Sequence, residues 1–354
     1  MRAGQFSRRD MLKASGAAAM SVFATPLRAA APEPTAITPA LVAAATKEGK
    51  VTYYTSIDLP VSEKIAKAFE AKYPGISVQV ERTGAERIFQ RIGQEYASNI
   101  HAVDVVNSSD GAHFIVWKRD GLLASFVPED VAKYYPADQK DPDGQFASFR
   151  VCLSVIGYNT NLVKPADAPK SFADLLDPKW AGKIVKGHPG YSGTIMTSTF
   201  EMARDLGWDY FEKLAKQRVM QVQSASDPPK KIGLGERAIM ADGNDYVLTT
   251  VKDGGGPVEI VYPTEGTPQI VGPNGIFKAA PNPNAARLFQ AFCFTAECQQ
   301  LVLDIANMHS FHPAVKEKPG RKPFREIKVM KEDAAAVEKQ ADQIKARYTK
   351  IFRV

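Results

Sequence analysis

The chain has 354 residues, with 45 basic and 39 acidic side chains and three cysteines. Residues 1–31 carry Arg2, Arg8, Arg9, Lys13 and Arg28 against Asp10, so the net charge of +6 falls to +2 once they are set aside. What remains is nearly neutral and has no long basic patch to displace counterions from phosphates, which excludes nucleic acid as the expected partner.

In chain order, the first feature is a basic head, Ser7-Arg8-Arg9-Asp10-Met11-Leu12-Lys13, followed by an uncharged run from Ala14 to Pro26 and a small-residue exit, Ala29-Ala30-Ala31. This is the layout of an export signal, and the paired arginines resemble the twin-arginine type. The run is too short and too rich in Ala, Ser and Gly to span a bilayer, which takes about 20 apolar residues. The expectation is a cleavable signal over residues 1–31 and a mature protein in the periplasm. About 320 residues then suit two lobes better than one core.

Val51–Thr55 reads as a buried strand, Leu59–Tyr73 as an amphipathic helix stopped by Pro74-Gly75, and Ile76–Val80 as an alternating strand. Ala85–Ala97 is a second helix, and Val103–Val106 a strand that ends in Asn107-Ser108-Ser109-Asp110. Strand–helix alternation of this kind predicts an open α/β sheet with ligand loops at the strand ends. Ser148–Asn159 reads as one long strand that interrupts the rhythm. Beyond it, Ser171–Trp180 reads as a short helix and Lys183–Lys186 as a strand, and helices follow over Thr194–Asp205 and Trp208–Arg218. Glu236–Thr250 and Val258–Tyr262 look strand-like, Ile270–Phe277 starts as a strand, Asn284–Met308 is helical, and Lys331–Ile351 is a charged amphipathic helix expected to pack on the surface. One lobe is expected to be inserted in the other: 47–149 with 268–320, then 150–267, with 321–354 as a helical tail.

Cys152, Cys293 and Cys298 are an odd set, and in a continuous helix the last two would face different ways, so buried free thiols are expected. The five histidines show no zinc-ligand spacing, and there is no Gly-x-Ser-x-Gly elbow. An enzyme on this scaffold would need a nucleophile with an activating neighbour; Cys152 lies in the hinge region and Ser154 and Val155 beside it supply no base. No catalytic residue is expected.

Val51-Thr-Tyr-Tyr-Thr-Ser56 and Ala66-Lys-Ala-Phe-Glu-Ala-Lys-Tyr-Pro-Gly75 resemble the opening of bacterial extracellular solute-binding proteins. Ile156-Gly-Tyr-Asn-Thr160, the stretch Ser171 to Ile184 and Ser192-Gly-Thr194 resemble the ferric-ion-binding branch, whose members feed ATP-driven importers. The likeness runs from about Gly49 to Pro313. It implies a type II periplasmic-binding-protein fold: two α/β lobes joined by two crossing hinge strands, with a ligand cleft between them. It also implies a membrane permease with its ATPase as partner, and a monomer.

The resemblance puts Tyr158 at the hinge-region tyrosine and Tyr246 at the second tyrosine of the metal-holding pair. Asp245 stands where the first tyrosine belongs, Asp58 at the histidine position, and Ser109 at the glutamate position, beside Asp110. The implied ligand is ferric iron with carbonate or phosphate, held by Tyr158, Asp245 and Tyr246; the alternative is an organic anion such as a sugar phosphate, phosphonate or carboxylate, or another small solute without metal, and the alternative of a different class is a periplasmic enzyme on the same two-lobed scaffold. Ser192-Gly193-Thr194 is a Gly-containing turn feeding a helix, which offers unpaired N–H groups to an anion. Ser56, Thr83, Gly84 and Ser108 complete the expected ligand-facing loops. Arg82 and Arg87 sit at an exposed helix start, where an arginine is more often solvated than bound to an anion.

Overall fold

The computed structural model describes residues 31–354. Apart from Ala31, the expected export signal lies outside the described residues. Among the described residues no helix is long and apolar enough to cross a membrane.

The first lobe begins with α1 (Pro39–Glu48), β1 (Lys50–Thr55), α2 (Leu59–Lys72), β2 (Ser77–Arg82), α3 (Ala85–Ala97), β3 (Val105–Asn107), α4 (Gly111–Arg119), α5 (Glu129–Tyr134) and β4 (Phe146–Leu153). The second holds β5 (Ile156–Asn159), β6 (Ile184–Gly187), α6 (Gly193–Asp205), α7 (Trp208–Ala215), β7 (Met220–Val222), α8 (Asp227–Gly233), β8 (Ile239–Met240), α9 (Asp245–Asp253) and β9 (Val258–Val261). The chain returns through β10 (Thr267–Ile276), α10 (Pro283–Cys293), α11 (Ala296–Ala306), β11 (Val329–Met330) and α12 (Ala334–Phe352).

The first sheet runs β11-β10-β3-β1-β2, with β4 also paired to β10; the second runs β7-β6-β8-β5-β9. β1 lies parallel between β2 and β3, as crossover helices require, whereas β10 runs antiparallel to β3 and β4. Apolar side chains cover both faces of the first sheet: Tyr53, Phe69, Phe289 and Phe292 on one, Ile88, Phe114, Trp117 and Phe277 on the other. The second sheet is likewise covered twice, by Phe172, Trp180 and Phe211 and by Leu153, Ile232 and Leu248. Covering on both faces explains why its strands read as short apolar runs.

Several sequence expectations change. Ser148–Asn159 is two strands, broken at Ser154-Val155, where the chain passes from one sheet to the other; the alternation continues through the break because both pieces are buried. Within Glu236–Thr250 only Ile239–Met240 is strand, and Asp245–Asp253 is helix. Ser171–Trp180 resolves into two 3-10 turns. Asn284–Met308 breaks where Thr295 caps α11 by accepting from Cys298 N. That break turns Cys298 toward Cys293, and burial together with the hydrogen bond between the two thiols pushes Cys293 well up. All three cysteines are buried and free.

The segment after Gly320 packs on both lobes. β11 pairs parallel with β10 through Thr267 and Pro268, and α12 packs against α4 of the first lobe and α6 and α7 of the second. Ala112, Met196, Phe200, Val337 and Ile344 form a small core there that draws on both lobes.

Candidate functional site

The sheets present their strand ends to a cavity of about 300 Å³. Ser56, Arg82, Gly84, Glu86, Arg87 and Ser109 line it from the first lobe, and Tyr191, Ser192, Thr194, Ser226, Asn244 and Tyr246 from the second. Arg150, on the hinge strand β4, forms part of its wall.

One corner is built for negative charge. Gly190 N donates to His188 Nδ1 and Tyr191 N to His188 O, folding a turn that delivers Ser192 as the cap of α6. Ser192 Oγ accepts from Ile195 N, and no acid stands in the first helical turn. Residues at a helix start have N–H groups with no partner inside the helix, and the dipole adds partial positive charge. Arg150 is 2% exposed. Its Nη2 lies 3.4 Å from Ser56 Oγ and its Nη1 3.5 Å from Cys152 Sγ, while Nε has no partner. Among the described residues it meets no carboxylate. A buried guanidinium without a counter-charge is costly unless an anion completes it.

Beside that corner the polar groups pair mostly with one another, though the buried Asn244 Oδ1 has no partner. Asp58 accepts from Arg82 at 3.2 Å and from Ser226 Oγ and Tyr246 OH at about 3.5 Å. Asn244 Nδ2 donates to Tyr246 OH at 3.2 Å. Burial and the neighbouring Asp58 push the Tyr246 phenol far above its ordinary range, so it stays protonated. The neighbouring His113, its Nε2 3.8 Å from Glu86 Oε2, pulls the Glu86 carboxyl down to about 2, and Glu86 also meets Lys345.

Of the expected ligand-facing residues, Ser56, Gly84, Ser109, Ser192, Thr194 and Tyr246 line the cavity, and Asp58 stands directly behind Tyr246. Gly193 lies against the Ser109–Asp110 turn. Thr83 N donates to Thr55 O, and Ser108 Oγ meets His113 Nδ1 and accepts from Asp110 N; both build loops and neither lines the cavity. Tyr158 is a core residue of the second sheet. Asp245 is fully buried away from the cavity, where it accepts from Leu153 N (2.9 Å) and Arg321 Nη2 (3.2 Å) and pairs with His309 Nε2 (3.1 Å). The three expected metal ligands therefore do not converge, and among the described residues no three His, Cys, Asp or Glu side chains stand together as a metal site. Arg82 and Arg87 do face the cavity. The sequence reading missed Arg150, although a lone charge inside Phe149-Arg-Val-Cys-Leu153 is itself a signal.

Two lobes of mixed α/β structure with a polar cleft between them define the type II periplasmic-binding-protein fold. The chain belongs to the bacterial extracellular solute-binding proteins, whose family model matches residues 103–328. It is 25% identical over 212 residues to a probable ABC transporter periplasmic-binding protein of Sinorhizobium fredii, covering 57% of this chain and 58% of that one. Its fold is similar to the periplasmic binding protein AfuA of Actinobacillus pleuropneumoniae with fructose-6-phosphate bound (TM-score 0.79, 23% identity, 87% of this chain and 99% of that one). It is also similar to iron-bound HitA of Pseudomonas aeruginosa (TM-score 0.74, 23% identity, 85% and 99%). The protein is thus a solute-binding component of the ABC-transporter type.

Proposed function

We propose that the protein captures a small organic anion, with a phosphate ester as the best fit, and hands it to an ABC permease in the inner membrane. The observation that carries this reading is Arg150: a buried guanidinium with an unpartnered Nε, facing the same cavity as the α6 N-terminus. A phosphoryl group accepts from the guanidinium, from the Ser192 and Thr194 hydroxyls and from the first N–H groups of the helix at once. Only a ligand that binds the closed form better than the open one shifts the lobes, and a group reached from both sides does that. The relative that carries fructose-6-phosphate supports the ligand class.

Ferric iron with a small anion is the second reading. Tyr246 at the cavity wall and the iron-bound neighbour favour it. The inward-turned Asp245 and the packing of Tyr158 into the core of the second lobe weigh against it, because ferric iron wants several anionic oxygen donors converging on one point. We assign no catalytic step: burial pushes the Cys152 thiol up to about 12, far from a thiolate nucleophile. Export through the signal over residues 1–31, work in the periplasm and a monomeric state complete the proposal.

Calorimetry with fructose 6-phosphate and with ferric citrate tests the ligand. The expected result is phosphate-ester binding that Arg150→Met weakens on the order of tenfold to a hundredfold. A coloured ferric complex with no response to phosphate esters would overturn it.

A further inference from the structure

Arg150 reaches the cavity from a strand pair whose geometry makes room for it. β4 and β10 run antiparallel with Arg150 directly opposite Gly272, and the register shifts between Gly272 and Pro273, leaving Phe149 as an extra residue on β4. Asn107 pins that irregularity: its Nδ2 lies 3.1 Å from Gly272 O, 3.0 Å from Pro273 O and 2.8 Å from Asn274 Oδ1. A Cβ at position 272 would stand 2.9 Å from Arg150 Cγ, 2.9 Å from its Nε and 3.1 Å from its Cζ. Gly272 has no positive φ, so glycine supplies space here and not backbone freedom.

We propose that Gly272 is a positioning residue for ligand capture: its bare Cα, fixed by the Asn107-pinned bulge, is the seat on which the Arg150 guanidinium lies to face the cavity. This rests on the anion-binding reading of Arg150. The three atoms nearest that methyl all belong to the Arg150 side chain and none to backbone. Gly272→Ala therefore displaces the guanidinium while the strands stay paired. A bulge that re-aims a side chain beside a binding site is the kind of device such irregularities provide.

The test is a double-mutant cycle on the full-length protein with Gly272→Ala, Arg150→Met and both together. Two readouts are followed: the Arg150 Nε–Hε NMR signal, assigned by its loss in Arg150→Met, and affinity for fructose 6-phosphate. In Gly272→Ala the signal is expected to move and lose its protection from exchange, with affinity falling on the order of tenfold. In the Arg150→Met background Gly272→Ala is expected to cost nothing further, since the two positions then share one function. An unmoved signal, or losses that simply add, would overturn the seat. A moved signal in a protein that binds no phosphate ester would uphold the seat and remove the anion reading. Unfolding of Gly272→Ala would also overturn the proposal, which requires the strand pair to tolerate the methyl; Gly272→Ala/Arg150→Gly, which clears the clash, then folding normally would reinstate it.

Discussion

Gly193 and Asp110, from opposite lobes, meet so closely that a Cβ on Gly193 would lie 2.7 Å from Asp110 Cβ and 2.9 Å from Asp110 N. The helix start that faces the cavity is also a point where the lobes touch. The struck atoms include backbone, which cannot step aside as a long side chain does. Gly193→Ala is expected to fold normally but to resist closure, at a cost of about 1–3 kcal/mol. Small-angle scattering with saturating fructose 6-phosphate checks this; a variant as compact as the parent protein would count against it.

Asp245 separates the two readings of the sequence motif. Its buried carboxylate is held by His309, Arg321 and Leu153 N, and these partners keep it below the usual carboxylate range despite burial. Asp245→Asn leaves Arg321 poorly compensated and is expected to cost about 3–5 kcal/mol of stability in denaturant unfolding. Ligand affinity of the folded fraction is expected to stay unchanged. Because the folded-state pKa is depressed, this contribution is present above the unfolded pKa and fades as pH falls through the folded one.

Glu332 behaves in the opposite sense. Its Oε2 accepts from Val271 N, its buried Oε1 has no partner, and burial raises its pKa to about 8, with Asp110 and Asp333 adding to the rise. The unfolded chain releases this proton near the ordinary glutamate value of about 4.3, the folded chain only near 8. Stability is therefore expected to decline as pH rises through that window. Glu201, which accepts from Gln269 N on the same strand and is raised for the same reason, adds to the slope. Glu332→Gln should flatten melting temperature against pH above about pH 5; an undiminished slope would show that other groups carry it.

Tyr348 anchors α12 in the second lobe. Its hydroxyl lies 3.2 Å from Gly187 O and 2.7 Å from Gln221 Oε1, and its ring stacks on Phe352 and faces Lys186. Tyr348→Phe is expected to cost about 1 kcal/mol for the lost hydroxyl donor, and Tyr348→Ala about 3–5 kcal/mol by analogy with other large aromatic truncations. Equilibrium unfolding of the two variants gives the difference directly.

The first lobe was legible because each of its strands and helices carries its own period: Val51–Thr55, Leu59–Tyr73 and Ala85–Ala97 each match an element to within a few residues. The second lobe was harder. Its strands are two to four residues long and the central three are fully buried, so a helix start such as Asp245-Tyr246-Val247-Leu248 carries the same apolar signal as a strand. The Ser192 turn was legible because capping chemistry is local. Arg150 was not, since its meaning depends on Gly272 and Ser56, far away in sequence. Asp245 misled because Tyr246 beside it does face the cavity, while its own side chain points the other way into His309.

The last helix touches both halves of the molecule: Lys345 reaches Glu86 and Glu338 receives Arg119, while Tyr348 is sunk among Phe211 and His188. Each swing of one half against the other must carry this rod along or peel it away. A fluorophore attached beyond Val354, paired with a quencher on α3, would therefore report the breathing of the protein in real time from a position no cargo molecule ever occupies.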